Sequence, residues 1–141
     1  LKFLQASPII PVFGSGNYLQ QPIYVGDVAK AIVQVALQMQ TIGKIYNISG
    51  KAPLTYNEVI DTVAQLLKKK VYRLHLPVKG VITLLDLLAR FSIPFPIRSE
   101  QVLRLNEDKA FAYTEASADF DFRPLAFCEG LRLELEAIGL R

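Results

Sequence analysis

The 141-residue sequence has no tryptophan and only one cysteine, one histidine and one methionine. A single Cys128 rules out an intrachain disulfide, shows no metal-ligand spacing, and points to a reducing compartment. The lone His75 has no second histidine, cysteine or serine motif beside it, which removes metal ligation and a Ser-His or Cys-His nucleophile from consideration. It sits on an alternating segment, sharing a face with Val71 and Arg73, and reads as a solvent-facing strand residue. No run of about 18 uncharged apolar residues exists. The nearest stretch, 78–97, is interrupted by Lys79, Asp86, Arg90, Pro94 and Pro96, so no transmembrane segment is expected. Charge runs are also missing: Lys68, Lys69 and Lys70 form the only one. They fall where a helix should end, where cations favour the helix dipole, and no basic stripe with stacking aromatics accompanies them, which excludes a nucleic-acid partner. The chain opens at Leu1 with no initiator methionine and no signal-peptide pattern; a processed or truncated start is expected.

Apolar residues are what it has in plenty. They make up 51% of the chain, with a mean hydropathy of +0.26, high for a domain of this size. The length suits one domain with a real core and is short for two. With a membrane span excluded, some apolar surface is expected to face a preceding domain or a partner.

Residues 1–7 read as a helix tail or connector. Two short apolar runs surround Gly14-Ser15-Gly16-Asn17 over 8–25, a pattern for a small hairpin confined to edges by Pro8, Pro11 and Pro22. Asp27 stands where a helix begins, as a cap or first-turn residue. Val28 to Met39 follow with only Lys30, Gln34 and Gln38 marking a polar side, so this helix is expected to be sandwiched. Gly43 ends it, and 44–50 reads as a strand. Thr55 and Glu58 form a capping box opening a helix with Val59, Val63, Leu66 and Leu67 on one side. Residues 71–77 alternate as a strand, 79–91 and 99–106 are helical with Ser99 as N-cap, and 125–138 is a helix with Phe127, Leu131, Leu135 and Ile138 on one face. Strands separated by helices argue for parallel pairing in an α/β sheet, here a small and incomplete one with about five helices.

Five ordered motifs go further: Gly14-Ser15-Gly16; Tyr24-Val25-Gly26-Asp27-Val28-Ala29; Tyr46-Asn47-Ile48-Ser49-Gly50; Leu54-Thr55-Tyr56-Asn57-Glu58; and Asp108-Lys109 leading to Ala118-Asp119-Phe120-Asp121-Phe122-Arg123-Pro124 and Glu129-Gly130-Leu131. In this order they resemble the C-terminal part of the NAD-dependent epimerases/dehydratases, the extended or atypical short-chain dehydrogenases/reductases, over residues 8 to 131. The resemblance implies the C-terminal portion of a Rossmann-type fold, with residues 1–141 as a single substrate-binding region and the N-terminal dinucleotide-binding half absent. It implies NAD or NADP as cofactor of the parent protein, a small-molecule substrate, and an N-terminal Rossmann half or a homo-oligomer copy as partner. The location it implies is cytoplasmic, with the alternative of a position peripheral to a membrane complex. The atypical branch also includes an accessory subunit of respiratory complex I, so a non-catalytic, dinucleotide-binding assembly subunit is the second reading.

The chemistry of the family is not present in this stretch. A cofactor cradle needs a glycine-rich turn from strand into helix, and Gly14-Ser15-Gly16 leads into a strand. The family's base is a tyrosine with a lysine four residues later. Pro22, Val28, Gly50, Ile60, Leu76 and Ser117 hold that position after the six tyrosines. No catalysis and no cofactor binding by this chain alone are expected. Gln20 and Gln21 flank the strand that borders the substrate cleft in relatives, and Arg98 is placed to hold an anionic ligand group; these three are the expected substrate-binding residues. Asp27, Thr55 and Glu58 are expected to be structural. Sugar-nucleotide enzymes carry an arginine where this chain has Gln20, and an Arg-Pro-Gly-Asp turn of which Arg98 alone remains.

Overall fold

The computed structural model describes residues 7–91 and 98–139. In chain order the elements are β1 (Ile9–Phe13), β2 (Leu19–Gln20), α1 (Val25–Leu37), a 3-10 turn (Met39–Thr41), β3 (Leu54–Thr55), α2 (Tyr56–Leu66), β4 (Tyr72–Leu76), α3 (Val78–Arg90), α4 (Ser99–Leu105), α5 (Thr114–Phe120) and α6 (Phe127–Ala137). The architecture is α/β, with six α-helices among the described residues and little sheet. The chain divides into two compact units: residues up to Tyr18 with Thr55–Asp108, and Leu19–Leu54 with Lys109 onward.

In the first unit, β1 and β4 pair in parallel, Ile9 opposite Tyr72 and Phe13 opposite Leu76. Parallel strands require a crossover, and α2 lies in the chain between them. Its N-terminus is fixed by reciprocal hydrogen bonds: the Glu58 N–H donates to Thr55 Oγ1 (3.2 Å), and the Thr55 N–H donates to Glu58 Oε2 (2.7 Å). Ile10, Val12 and Ile60 form the core, with Tyr56 and Val71 against them. Of the Val59, Val63, Leu66 and Leu67 stripe expected from the sequence, Val63 is buried and the other three are half-buried, and Ile60 joins Val63 on the buried side of α2.

The expected hairpin over 8–25 does not form. β1 takes β4 as its neighbour, because Ile10 and Val12 need the cover that Ile60 of α2 supplies and that a bare hairpin lacks. The glycine turn is real, with Gly14 at φ +78° and Gly16 at φ +71°. Its Gly14 N–H donates to Leu76 O at 2.8 Å, tying it to the end of β4. Ser99 is the first helical residue of α4, while Arg98 holds the cap position and its N–H donates to Gln101 Oε1 at 3.0 Å. The connector reading of 1–7 and the helix-breaking prolines 94 and 96 lie outside the described residues, apart from Ser7.

In the second unit the core is Ala31, Ala116, Phe120 and Phe122, with Ile23, Val35, Tyr46, Ile48 and Tyr113 packed on it. Two edge-to-face pairs order the rings: Tyr46 on Phe120 (5.1 Å) and Tyr113 on Phe122 (5.6 Å), the geometry favoured by the ring quadrupoles. α1 ends at Leu37, two residues before Met39. There Thr41 Oγ1 donates to the carbonyls of Val35 (2.8 Å) and Gln38 (2.6 Å), turning the chain into the 3-10 segment. Residues 44–50 are not a strand: Tyr46 and Ile48 turn to the core, but the backbone joins no ladder among the described residues. Neither is α1 sandwiched; only Asp27 and Ala31 are buried. α5 has no counterpart in the sequence reading. It is seven residues long, too short to show a helical period, and ends at Asp121 in the left-handed region, φ 54°.

Candidate functional site

The second unit carries an open cleft of about 690 Å³, lined by Gln21, Pro53, Phe111, Tyr113, Thr114 and Ser117 among others. Gln21 shapes one wall. Its Nε2 donates to Gly50 O and its Oε1 accepts from the Phe111 N–H, both at 2.7 Å. Ser49 Oγ donates to Phe111 O at 2.8 Å. Both backbone groups of Phe111 are thereby held by side chains, while its ring stays exposed. Tyr113 Oη donates to Lys51 O at 3.3 Å, anchoring the same wall further along. Every lining residue is formally neutral, so the cleft suits contacts by rings, hydroxyls and amides and offers no carboxylate or imidazole for acid–base work.

A neighbouring cleft of about 520 Å³ contains Lys44, Tyr46, Glu115 and Asp119. Asp119 Oδ2 accepts from Lys44 Nζ and from Tyr46 Oη, each at 2.6 Å. These bonds, Lys44's first, hold the Asp119 carboxyl below its ordinary range. The Lys44 ammonium is raised, chiefly by the same bond. The Tyr46 phenol is also raised, by desolvation first and then by its bond to Asp119. A catalytic phenol needs its pKa lowered toward the working pH; Tyr46 moves the other way, as do Tyr56, by burial, and Tyr18, pushed up to about 12 chiefly by burial. The cluster is a charge-assisted clip joining the segment after α1 to α5.

The residues singled out in the sequence are scattered between these features. Gln21 lines the first cleft with both ends of its amide committed to backbone. Gln20 does not line it, and its Nε2 is buried without a hydrogen-bond partner. Arg98 belongs to the first unit and is exposed at the start of α4. Asp27, 4% exposed, accepts from the Leu125 N–H at 2.8 Å, fastening the first turn of α1 to the segment entering α6. His75, exposed on β4, places Nδ1 3.0 Å from Gly14 O. Ser49 and Asp119 escaped notice as site residues although both lie inside recognised motifs. Their partners are 62 and 75 residues away, so spacing could not reveal them.

The Gly14-Gly16 turn is not a phosphate cradle. A Cβ on Gly14 would meet Asn106 Oδ1 at 2.6 Å, and one on Gly16 would meet Asn57 Oδ1 at 2.5 Å. The space beside both glycines is filled by the side chains of Asn106, Val78 and Asn57, which leaves no room there for a pyrophosphate. The described residues therefore do not fit a dinucleotide at this turn.

No protein-family model matches the chain. Over 113 residues it is 29% identical to the mitochondrial NADH dehydrogenase [ubiquinone] 1 alpha subcomplex subunit 9 of Arabidopsis thaliana, covering 77% of this chain and 28% of that protein. Over 69 residues it is 35% identical to dTDP-glucose 4,6-dehydratase of Neisseria gonorrhoeae, covering 49% of this chain and 19% of that one. Among solved structures, UDP-glucuronic acid 4-epimerase from Bacillus cereus in complex with NAD superposes with a TM-score of 0.66 at 17% identity, over 98% of this chain and 36% of the epimerase. The fold is that of the C-terminal portion of the NAD-dependent epimerases and dehydratases. The chain spans well under half the length of each of these relatives. No helix among the described residues is long and apolar enough to cross a membrane.

Proposed function

We propose that this chain is the substrate-binding C-terminal region of an NAD(P)-dependent epimerase/dehydratase-like or reductase-like protein. The dinucleotide and the catalytic Tyr/Lys pair would lie in an N-terminal half outside this sequence. The observation that carries the reading is the agreement in fold over 98% of the chain with an NAD-bound epimerase. The neutral cleft held open by Gln21 and Ser49 supports a role in receiving an uncharged part of a small substrate. Gln20 and Arg98 remain candidate ligand contacts under this reading. The test is a calorimetric titration of NAD(H) and NADP(H) into the 141-residue chain and into the longer product of its reading frame. Negligible binding to the former and micromolar binding to the latter is the expected pair of results. An upstream segment without a glycine-rich strand-to-helix turn defeats the proposal.

A second reading has its own support. The Arabidopsis relative carries the name of a NADH dehydrogenase subunit, and Gln20 replaces the arginine of sugar-nucleotide enzymes. Under this reading the parent binds a dinucleotide for structure and turns nothing over. Turnover of NAD(P)H with any aldehyde or ketone by the longer protein would remove it.

A further inference from the structure

Asp61 and Asp86 bracket a stretch of the first unit that contains five lysines and arginines and no carboxylate. Three of the five, Lys68, Lys69 and Lys70, are consecutive and exposed. The helix dipole does not account for them. α2 ends at Leu66 with no basic residue in its last turn, and the dipole's effect fades beyond that turn. Lys68 also sits at φ 52°, in the left-handed region that favours glycine, so the chain carries a cation there at a cost in backbone strain. Net charge is divided unevenly as well: the first unit has nine lysines and arginines to six carboxylates, the second seven to seven. The three lysines lead into β4, whose outer side is bare. Ile9 lies opposite Tyr72 and Pro11 opposite Leu74, on the side away from the Ile10, Val12 and Ile60 core. Ile9 is 52% exposed, Tyr72 66% and Leu74 52%, and strand alternation puts no charged residue of β1 or β4 on that side.

We propose that the Lys68–Lys70 run and the face formed by Ile9, Tyr72 and Leu74 dock the first unit on an anionic phospholipid surface, peripherally and without a spanning segment. Clustered cations next to exposed apolar side chains, with a tyrosine at the border, combine the two attractions that hold a protein on such a surface. The chemistry of the cluster selects this occupant. Lysines are flexible point charges that suit a diffuse negative surface, whereas a phosphorylated peptide is gripped by the planar fork of arginine. Arg73 is the single arginine of the stretch, and Asp61 holds it at 2.6 Å. Ile9 and Leu74 have no counterpart in the phosphates of a nucleic acid, while the acyl region of a bilayer removes both from water. The surface lies wholly within the first unit and is independent of the function proposed above.

The experiment is co-sedimentation of the 141-residue chain with vesicles of phosphatidylcholine alone and of a two-to-one mixture with phosphatidylserine, at about 0.1 M salt. Binding to the mixture and not to phosphatidylcholine is expected. Each lysine near an anionic surface contributes a factor of about five, so Lys68→Gln, Lys69→Gln and Lys70→Gln together should weaken binding about a hundredfold. Glutamine at 68 leaves the backbone strain as it is. The chain has no tryptophan, so Tyr72→Trp supplies a lone reporter whose emission should shift to the blue on the mixed vesicles and be quenched by brominated lipid. Circular dichroism checks that each variant keeps its fold. Absent binding, equal binding to the two vesicles, an unweakened triple variant, or a bound Tyr72→Trp protein with unshifted emission overturns the proposal. Tighter binding to a single-stranded oligonucleotide at the same salt overturns it in favour of a nucleic acid. A dimer that Leu74→Ser dissociates, with no vesicle binding, overturns it in favour of a second copy. The longer product of the reading frame should bind the same vesicles; if it does not, the face is covered in that protein and the proposal falls.

Discussion

Replacing Asp27 tests how the second unit is held together. Its carboxylate is nearly fully buried and accepts one backbone N–H, that of Leu125, 98 residues away. Asp27→Ala removes the acceptor and leaves that N–H with no replacement inside the protein. A hydrogen bond to an ionised group contributes about 1.5–3 kcal/mol. A carboxylate in the first helical turn adds about 0.3–1 kcal/mol through the dipole. The expected loss is therefore about 2–4 kcal/mol, which at a urea slope of about 2 kcal/mol per molar moves the midpoint down by about 1–2 M. Asp27→Asn keeps one acceptor oxygen in the same shape and should lose only about 1 kcal/mol. Urea titration followed by far-ultraviolet circular dichroism gives the midpoints. Exchange at the Leu125 amide reports the local bond, and should quicken in Asp27→Ala. A stable Asp27→Ala protein, within about 0.5 kcal/mol of the parent, with Leu125 still protected, would refute the reasoning.

Thr55→Ala removes the hydroxyl that accepts from the Glu58 N–H and should destabilise α2 by about 1 kcal/mol, measured as a fall in the urea midpoint; an unchanged midpoint speaks against the cap. Gly50→Ala puts a Cβ into the Pro22 carbonyl oxygen, so the Gln21 bond to Gly50 must shift. The expected cost is about 1–3 kcal/mol, with faster exchange at the Phe111 amide as the check. The Lys44–Tyr46–Asp119 clip sets a pH window. Asp119 is held below its ordinary 3.8, so its contribution is present above that value and is lost as pH falls through the lower, folded-state pKa. Lys44 and Tyr46 are raised above 10.5 and 10.0, so theirs are present below those values and are lost as pH rises past the raised ones. Melting temperature should be flat between these limits, and Asp119→Asn should flatten the acid side; an unaltered acid limb counts against the clip.

How much the sequence revealed depended on the range of the interaction. The capping box of Thr55 and Glu58 lies within one helical turn, and both bonds are present in the structure. The β4 and α3 segments show their own periods and appear within a residue or two of the expected bounds. Residues 8–25 and 44–50 have strand-like patterns, but a strand is completed by a neighbour, and pattern does not name one. The first found β4 instead of its own return, and the second found none among the described residues. α1 shows the same limit. Its composition signalled burial, while which face turns inward was decided by Ala31 and Asp27 meeting the core and the Leu125 segment.

For the site, Gln21 could be picked out from its place in a motif, but its role could not. Only the folded chain brings Gly50 and the Phe111 N–H to the two ends of one amide. By itself the sequence determined the Thr55–Glu58 cap, the α/β class and, through motif order, the likeness to epimerases and dehydratases. The tertiary structure alone decided that β1 takes β4 as its neighbour, the neutral cleft and the Asp119 clip. Each of these joins residues some 60 or more positions apart, and chain spacing carries no information about which distant groups will meet.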